Sequence, residues 1–241
     1  MDHSTLADQI DALLIDGGDP ERAQREQAYL KSDLGHYGTP VPVIRAAVTR
    51  CARRFPDLDH HELVTTVETL WRDPVHERRM AAVELLVFRS ALLEPHDMDL
   101  LERLLRGSRT WALVDNLASS VAGPMVERSA DATAVLDRWA TDDEFWIRRS
   151  AMLALLIPLR NGSGDFERFG RYADQMLEET EFFIRKAIGW ILRDTAKRRP
   201  DMIYDWLLPR AHRASGVTLR EAVKPLSDEQ RAAVLATARG R

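Results

Sequence analysis

A single cysteine, Cys51, is all the thiol this chain carries. No intramolecular disulfide can form, and a zinc cluster built on cysteines is excluded. No apolar run approaches the ~20 residues that a membrane span needs. The opening residues, Met1-Asp2-His3-Ser4, have neither the basic nor the apolar region of a secretion signal. Strand signals are nearly absent, because no alternating polar and apolar run is bounded by hairpin turns. Positive charge is not in excess either: 34 Lys and Arg face 38 Asp and Glu, for a net charge of −4. Taken alone, that balance argues against a nucleic-acid partner. Binding depends on where the cations lie, however, and not on their sum. A cytoplasmic protein with no membrane contact fits these absences; it is further expected to be a monomer with no metal and no cofactor.

Helix signals recur along the whole chain. Apolar residues make up 45% and charged residues 30%, the composition of a globular protein. Asp19-Pro20 reads as a helix start, a capping residue followed by proline in the first turn. Asp73-Pro74 and Arg199-Pro200 read as breaks between helices. Asn161-Gly162-Ser163-Gly164 reads as a loop. Helical runs of roughly 10–17 residues with short connections are the pattern of stacked helical hairpins.

The hairpins repeat. Glu77-Arg78-Arg79-Met80-Ala81-Ala82, Ile147-Arg148-Arg149-Ser150-Ala151-Met152 and Ile184-Arg185-Lys186-Ala187-Ile188-Gly189 each place a charged pair before an apolar helix. Ile44-Arg45-Ala46-Ala47 and Leu219-Arg220-Glu221-Ala222 fit less closely, and Val114-Asp115-Asn116-Leu117 fills the slot between the second and third. The key position reads Arg45, Arg79, Asp115, Arg149, Lys186, Arg220, at spacings of 34, 36, 34, 37 and 34. That is the period of a two-helix repeat. The expected fold is therefore all-α: an α-α superhelix of HEAT-like repeats spanning residues 1–241 as one domain. Its concave face is expected to carry a ladder of cations with one carboxylate in the middle.

Such a ladder suits a polyanion. Trp111 precedes Asp115 by four residues, and Trp190 follows Lys186 by four, so each indole shares a helix face with a ladder residue. Indole faces attract cations and pack on sugar CH groups. Taken singly, each feature also has a plainer reading. A tryptophan at helical spacing is more often core, and Trp71, Trp139 and Trp206 read as core or packing residues. Asp115 alone could cap a helix or pair with Arg149, and Arg148-Arg149 could be a solvated face.

Three stretches tie these features together: Thr110-Trp111-Ala112-Leu113-Val114-Asp115, Phe145-Trp146-Ile147-Arg148-Arg149, and Phe182-Phe183-Ile184-Arg185-Lys186-Ala187-Ile188-Gly189-Trp190. Tyr29-Leu30-Lys31, Leu70-Trp71 with Pro74, and Arg220-Glu221-Ala222-Val223-Lys224 accompany them. From about residue 20 to about residue 226 the chain resembles the AlkD-type DNA alkylation-repair family. The resemblance implies a monofunctional DNA glycosylase that releases positively charged N3- and N7-alkylpurines from double-stranded DNA. It implies Asp115, Trp111, Trp190 and Arg149 around the lesion, and further DNA contacts at Tyr29, Lys31, Arg45, Arg79, Arg148, Arg185, Lys186 and Arg220. Arg148 and Arg149 compete for the lesion-facing place; Arg149 is preferred because it falls third after Trp146 and lies on the ladder. The chain departs from the family at Ala112, where an acidic residue is usual. Two other functions remain open: a non-catalytic DNA-binding solenoid, and a helical scaffold whose cations bind an acidic protein.

Overall fold

The computed structural model of the chain describes residues 5–240. The Met1-Asp2-His3-Ser4 stretch lies outside the described residues. Among those described there are helices and no strand; the one β-type pairing is an isolated bridge between Gly35 and Val75. None of these helices is long and apolar enough to cross a membrane. The packing gathers into two compact units, Met1–Met125 and Val126–Arg241.

The first unit holds α1 (Leu6–Asp16), α2 (Pro20–Leu30), α3 (Val41–Ala52), α4 (His60–Arg72), α5 (His76–Phe88), α6 (Met98–Ser108) and α7 (Trp111–Asn116). Their starts follow from local chemistry. Asp19 caps α2 by accepting from the Arg22 amide at 2.8 Å, with Pro20 supplying a preset first turn. Asp59 and Glu62 form a reciprocal capping box on α4. Pro74 lies between α4 and α5, as expected. α5 is the centre of this unit: it packs on α3, α4 and α7, and Met80, Ala81, Ala82, Val83, Leu85 and Leu86 are buried along it.

After α7 the helix continues as a π-helical segment, Leu117–Ala122, and then as α8 (Gly123–Arg128), which ends in the second unit. The Gly123 amide reaches back to the Ala118 carbonyl, a wider turn than an α-helix makes. Pro124 follows at once. Its ring has no N–H and crowds the carbonyl four residues earlier, and a wider turn relieves that crowding.

The second unit holds α9 (Ala130–Trp139), α10 (Phe145–Leu153), α11 (Leu156–Arg160), α12 (Phe166–Gln175), α13 (Phe182–Ala196), α14 (Pro200–Leu207), α15 (Gly216–Ala222) and α16 (Asp228–Arg239). α13 is its spine, packing on α10, α11, α14 and α15. Trp139 is fully buried, as expected of a core tryptophan. The Asn161–Gly164 loop separates α11 from α12, and Gly162 and Gly164 take φ of 87° and 79°, values that glycine accepts without strain.

The repeat read from the sequence is visible inside each unit. Arg45, Arg79 and Asp115 stand on α3, α5 and α7, with α5 packed against both others; Arg149, Lys186 and Arg220 stand on α10, α13 and α15, with α13 packed against both others. Polar contacts connect successive repeats. Arg45 reaches Glu84, Arg149 reaches the Phe183 carbonyl and Lys186 reaches Glu221.

Candidate functional site

In the first unit the site begins at a strained turn. Arg109 ends α6 at φ 55°, a left-handed backbone that costs a non-glycine residue energy. Its guanidinium is held by Asp33 at 2.6 Å. Thr110 then caps α7, and its hydroxyl accepts from the Ala112 amide at 3.5 Å. This turn delivers Trp111 half-buried, edge-on to Tyr29 with ring centroids 6.0 Å apart and planes at 84°. Tyr29 is 73% exposed, so the pair is a platform open on its tyrosine side. Asp115 follows one helical turn after Trp111 and is also half-buried. The Ser119 hydroxyl donates to the Asp115 carbonyl at 2.6 Å, at the start of the π-helical segment. Such segments recur at functional sites because they displace side chains from the ordinary helical register.

The neighbouring ladder cations are anchored. Arg45 donates to Glu84 at 2.9 Å, and the Asn116 amide meets the same oxygen at 3.2 Å. Arg45 keeps 59% of its side chain exposed. Arg79 donates to the Gly107 carbonyl at 2.7 Å and lies 5.2 Å from the centre of the Trp71 ring. Burial holds its pKa below the usual arginine range. Lys31 ends α2 at φ 49°, exposed.

In the second unit α10 and α13 carry the remaining residues. Arg149 is only 2% exposed; it donates to the Phe183 carbonyl and lies 5.9 Å from the Phe183 ring centre. Arg148 is committed differently. It grips Glu179 through two nitrogens, at 3.0 and 2.7 Å, and donates to the Asp142 and Asp143 carbonyls at 2.7 and 2.8 Å. Arg185 donates to the Glu179 carbonyl at 2.6 Å. Arg148 and Arg185 thus fasten one turn between α12 and α13. Phe145, Trp146, Phe182 and Phe183 cluster around the start of α13, with Phe145 and Phe183 tilted against Trp146 and Phe182 edge-on to Phe183.

Trp190 is half-buried, and its indole N–H donates to Asp194 at 3.0 Å. Asp194 is buried beneath Arg160, Arg193 and Lys197. Lys186 pairs with Glu221 at 2.8 Å, and Glu221 also receives Arg193 and Lys224. These donors, Lys186 and Lys224 first, hold the Glu221 carboxyl down at about 2. Arg220 stands exposed on α15.

Of the expected site residues, Tyr29, Trp111 and Asp115 lie in the first unit and Arg149, Lys186 and Trp190 in the second. Sequence reasoning missed the residues that orient them. Glu84, Asp194 and Glu221 look like ordinary helical acids, and Asp33 pairs with Arg109 across 76 positions. Thr110 alone carried a signal, that of a hydroxyl residue one place before an apolar helix.

Helical repeats bearing a half-buried tryptophan–carboxylate pair beside anchored cations define a class of all-α repeat protein suited to a charged polymer. The family described as DNA alkylation repair enzyme matches residues 10–226. The chain belongs to that family, and a role in DNA repair goes with the membership. Solved structures agree in fold. A predicted DNA alkylation repair enzyme from Enterococcus faecalis is 21% identical, with a TM-score of 0.79 over 88% of this chain and 97% of that one. AlkD2 from Streptococcus mutans is 18% identical, with a TM-score of 0.61 over 92% of this chain and 100% of that one. The smu.31 protein from Streptococcus mutans UA159 is 16% identical, with a TM-score of 0.56 over 98% of both chains. Among curated proteins, none matches.

Proposed function

We propose that the chain is a DNA glycosylase that hydrolyses the N-glycosidic bond of positively charged N3- and N7-alkylpurines in double-stranded DNA. The observation that carries this reading is the placement of Asp115 one turn after Trp111, whose ring meets an exposed Tyr29 edge-on, on a helix that widens into a π segment at once. A cationic alkylpurine departs as a neutral base, so no general acid is needed. One carboxylate then suffices, unlike the two of a sugar hydrolase. Asp115 faces the oxocarbenium ion that develops at C1′ and orients the attacking water. At ~4 Å and an effective dielectric of ~20, that attraction is about 4 kcal/mol, roughly a thousandfold in rate. Trp111 and Trp190 contact the sugar and add cation–π stabilisation of about 1 kcal/mol each.

The cations divide by their commitments. Lys31 and Arg220 are exposed, and Arg45 and Lys186 keep much of their surface open despite their partners. These four are the phosphate contacts of the proposal. Arg149, nearly enclosed, acts close to the lesion, and Arg148 and Arg185 serve through the turn that they hold. Single-turnover incubation with duplex DNA carrying N7-methylguanine, with released base identified by mass, tests the activity. Release of intact 7-methylguanine at a protein-dependent rate is expected; no release above the spontaneous rate overturns it.

A second reading rests on the pairing of the ladder. Glu84, Glu179 and Glu221 each take up a cation, and the net charge is −4. That favours a non-catalytic scaffold for a less charged partner. Affinity for undamaged duplex that is indifferent to salt, together with absent base release, would select it.

A further inference from the structure

The connection between α2 and α3 encloses a polar cluster that the proposed DNA chemistry does not use. His36 stacks on His76, with ring centroids 4.8 Å apart and planes at 12°. His76 is 2% exposed, and burial holds its imidazole down at about 4, so it is neutral at neutral pH. Glu77 is completely buried, and its carboxylate accepts the amides of Tyr37, Gly38 and Thr39 at 2.9, 2.6 and 3.2 Å. Glu26 gives one oxygen to Arg22 at 3.3 Å. Its other oxygen, both ring nitrogens of His36 and Nδ1 of His76 are enclosed with no hydrogen-bond partner. Enclosed polar atoms are nearly always paired, so four orphans in one place call for an occupant.

We propose that Glu26, His36 and Glu77 bind a divalent transition-metal ion of the zinc type, with water completing the shell. One donor atom from each lies within 4.8 Å of the other two. Zinc with bonds of ~2.0–2.2 Å needs its donors about 3.4 Å apart, so the cluster must close by about 1 Å. Glu26 and His36 can do this by side-chain rotation, whereas Glu77 is held fixed by three amides. Imidazole with carboxylates is a donor set for zinc and its neighbours. Supporting hydrogen bonds are in place on the two carboxylates, backbone amides on Glu77 and Arg22 on Glu26, and the His76 ring packs flat against His36. Two carboxylates this close repel each other, and a dication relieves that. The single cysteine excludes thiolate sites only, and three ligands from separate segments leave no spacing motif to read. The ion would clip α2 and the connection after it onto α5. α2 also carries Tyr29, so the role is structural, holding the tyrosine against Trp111.

A second histidine group, His60 and His96 with Asp97, lies elsewhere in this unit and could also take metal. The experiment therefore uses metal-stripped full-length protein carrying His60→Ala and His96→Ala. Zn²⁺ is titrated calorimetrically and against a chromophoric chelator, and thermal melting is followed with and without Zn²⁺. One equivalent bound and a melting point raised by several degrees are expected. His36→Ala in the same background should remove that equivalent and the rise. Glu26→Gln, a change that keeps the side chain's shape and removes its charge, should weaken binding at least tenfold while leaving the circular dichroism of the apo protein unchanged. Absence of a bound equivalent in the starting protein, or its survival in both variants, overturns the proposal and leaves the cluster to enclosed water.

Discussion

At the scale of single residues, adjacent side chains separate by what they meet. Arg148 and Arg149 are indistinguishable as letters. The partner that distinguishes them, Glu179, comes 31 positions after Arg148. Trp111 and Asp115 are singled out by helical spacing and by the family likeness together, and Tyr29 by the likeness alone; the structure sets Tyr29 edge-on to Trp111. Glu77 was not legible, since its burial depends on amides supplied by residues 37–39. Asp115 has the sharpest prediction. Asp115→Asn should slow base release by about 10²–10³, with melting point and duplex affinity retained or improved. Undamaged DNA gains nothing from a carboxylate near its phosphates, whereas a cationic sugar loses its counter-charge. A wild-type rate with a lowered melting point would make Asp115 a structural residue. Trp190→Phe offers a second test at this scale. It keeps an aromatic face but leaves Asp194 without its indole donor. If the face contacts the sugar, release should fall less than tenfold; a large fall in melting point alone would assign Trp190 to the Asp194 cluster.

At the scale of helices, one start was readable and the deviations were not. Asp19 ahead of Pro20 announces α2, whereas the capping boxes of Asp59 with Glu62 and of Ser227 with Gln230 come from the structure. The π segment after α7 depends on where Pro124 falls against a buried face, which no local pattern encodes. The contact of α13 with α15 is equally hidden. A methyl on Gly189 would lie 3.0 Å from the Thr218 carbonyl oxygen and 3.0 Å from Cβ of Glu221. Gly189→Ala should push the helices apart and cost about 1–3 kcal/mol, roughly 2–4 °C of melting temperature per kcal/mol. Unchanged melting would mean that α15 yields freely. The same interface titrates. Glu221 is held near 2 in the folded chain against an ordinary 4.5. The folded state therefore prefers the ionised form. The stabilisation from Lys186, Arg193 and Lys224 is complete above about pH 4.5 and is lost as pH falls towards 2. Melting followed from pH 5 down to 2.5 should show this loss, and Glu221→Gln should flatten that part of the profile.

At the scale of the whole molecule, the question is how a chain with net charge −4 can hold a polyanion. The sum misleads because placement decides: Glu221 gathers Lys186, Arg193 and Lys224, and Asp194 gathers Arg160, Arg193 and Lys197, so the cations are not each matched by an acid of their own. On the proposed reading, DNA meets the cations that stay open to solvent. Lys31 and Arg220 are exposed, and Arg45 and Lys186 keep 59% and 42% of their side chains open. If each of these four neutralises one phosphate, the logarithm of the binding constant should fall with the logarithm of salt at a slope of about −3.6. Lys31→Ala and Arg220→Ala should each make that slope shallower by about one unit, on damaged and undamaged duplex alike, because a phosphate contact does not read the base. Arg148→Ala should behave oppositely. Its four hydrogen bonds go to Glu179 and to the carbonyls of Asp142 and Asp143, so its loss should lower the melting point and leave the slope unchanged. Fluorescence anisotropy at four salt concentrations, run beside melting curves, measures both quantities on the same samples. A slope that moves with Arg148 and not with Lys31 or Arg220 would reverse the assignment, making Arg148 a phosphate ligand that releases Glu179 when DNA arrives.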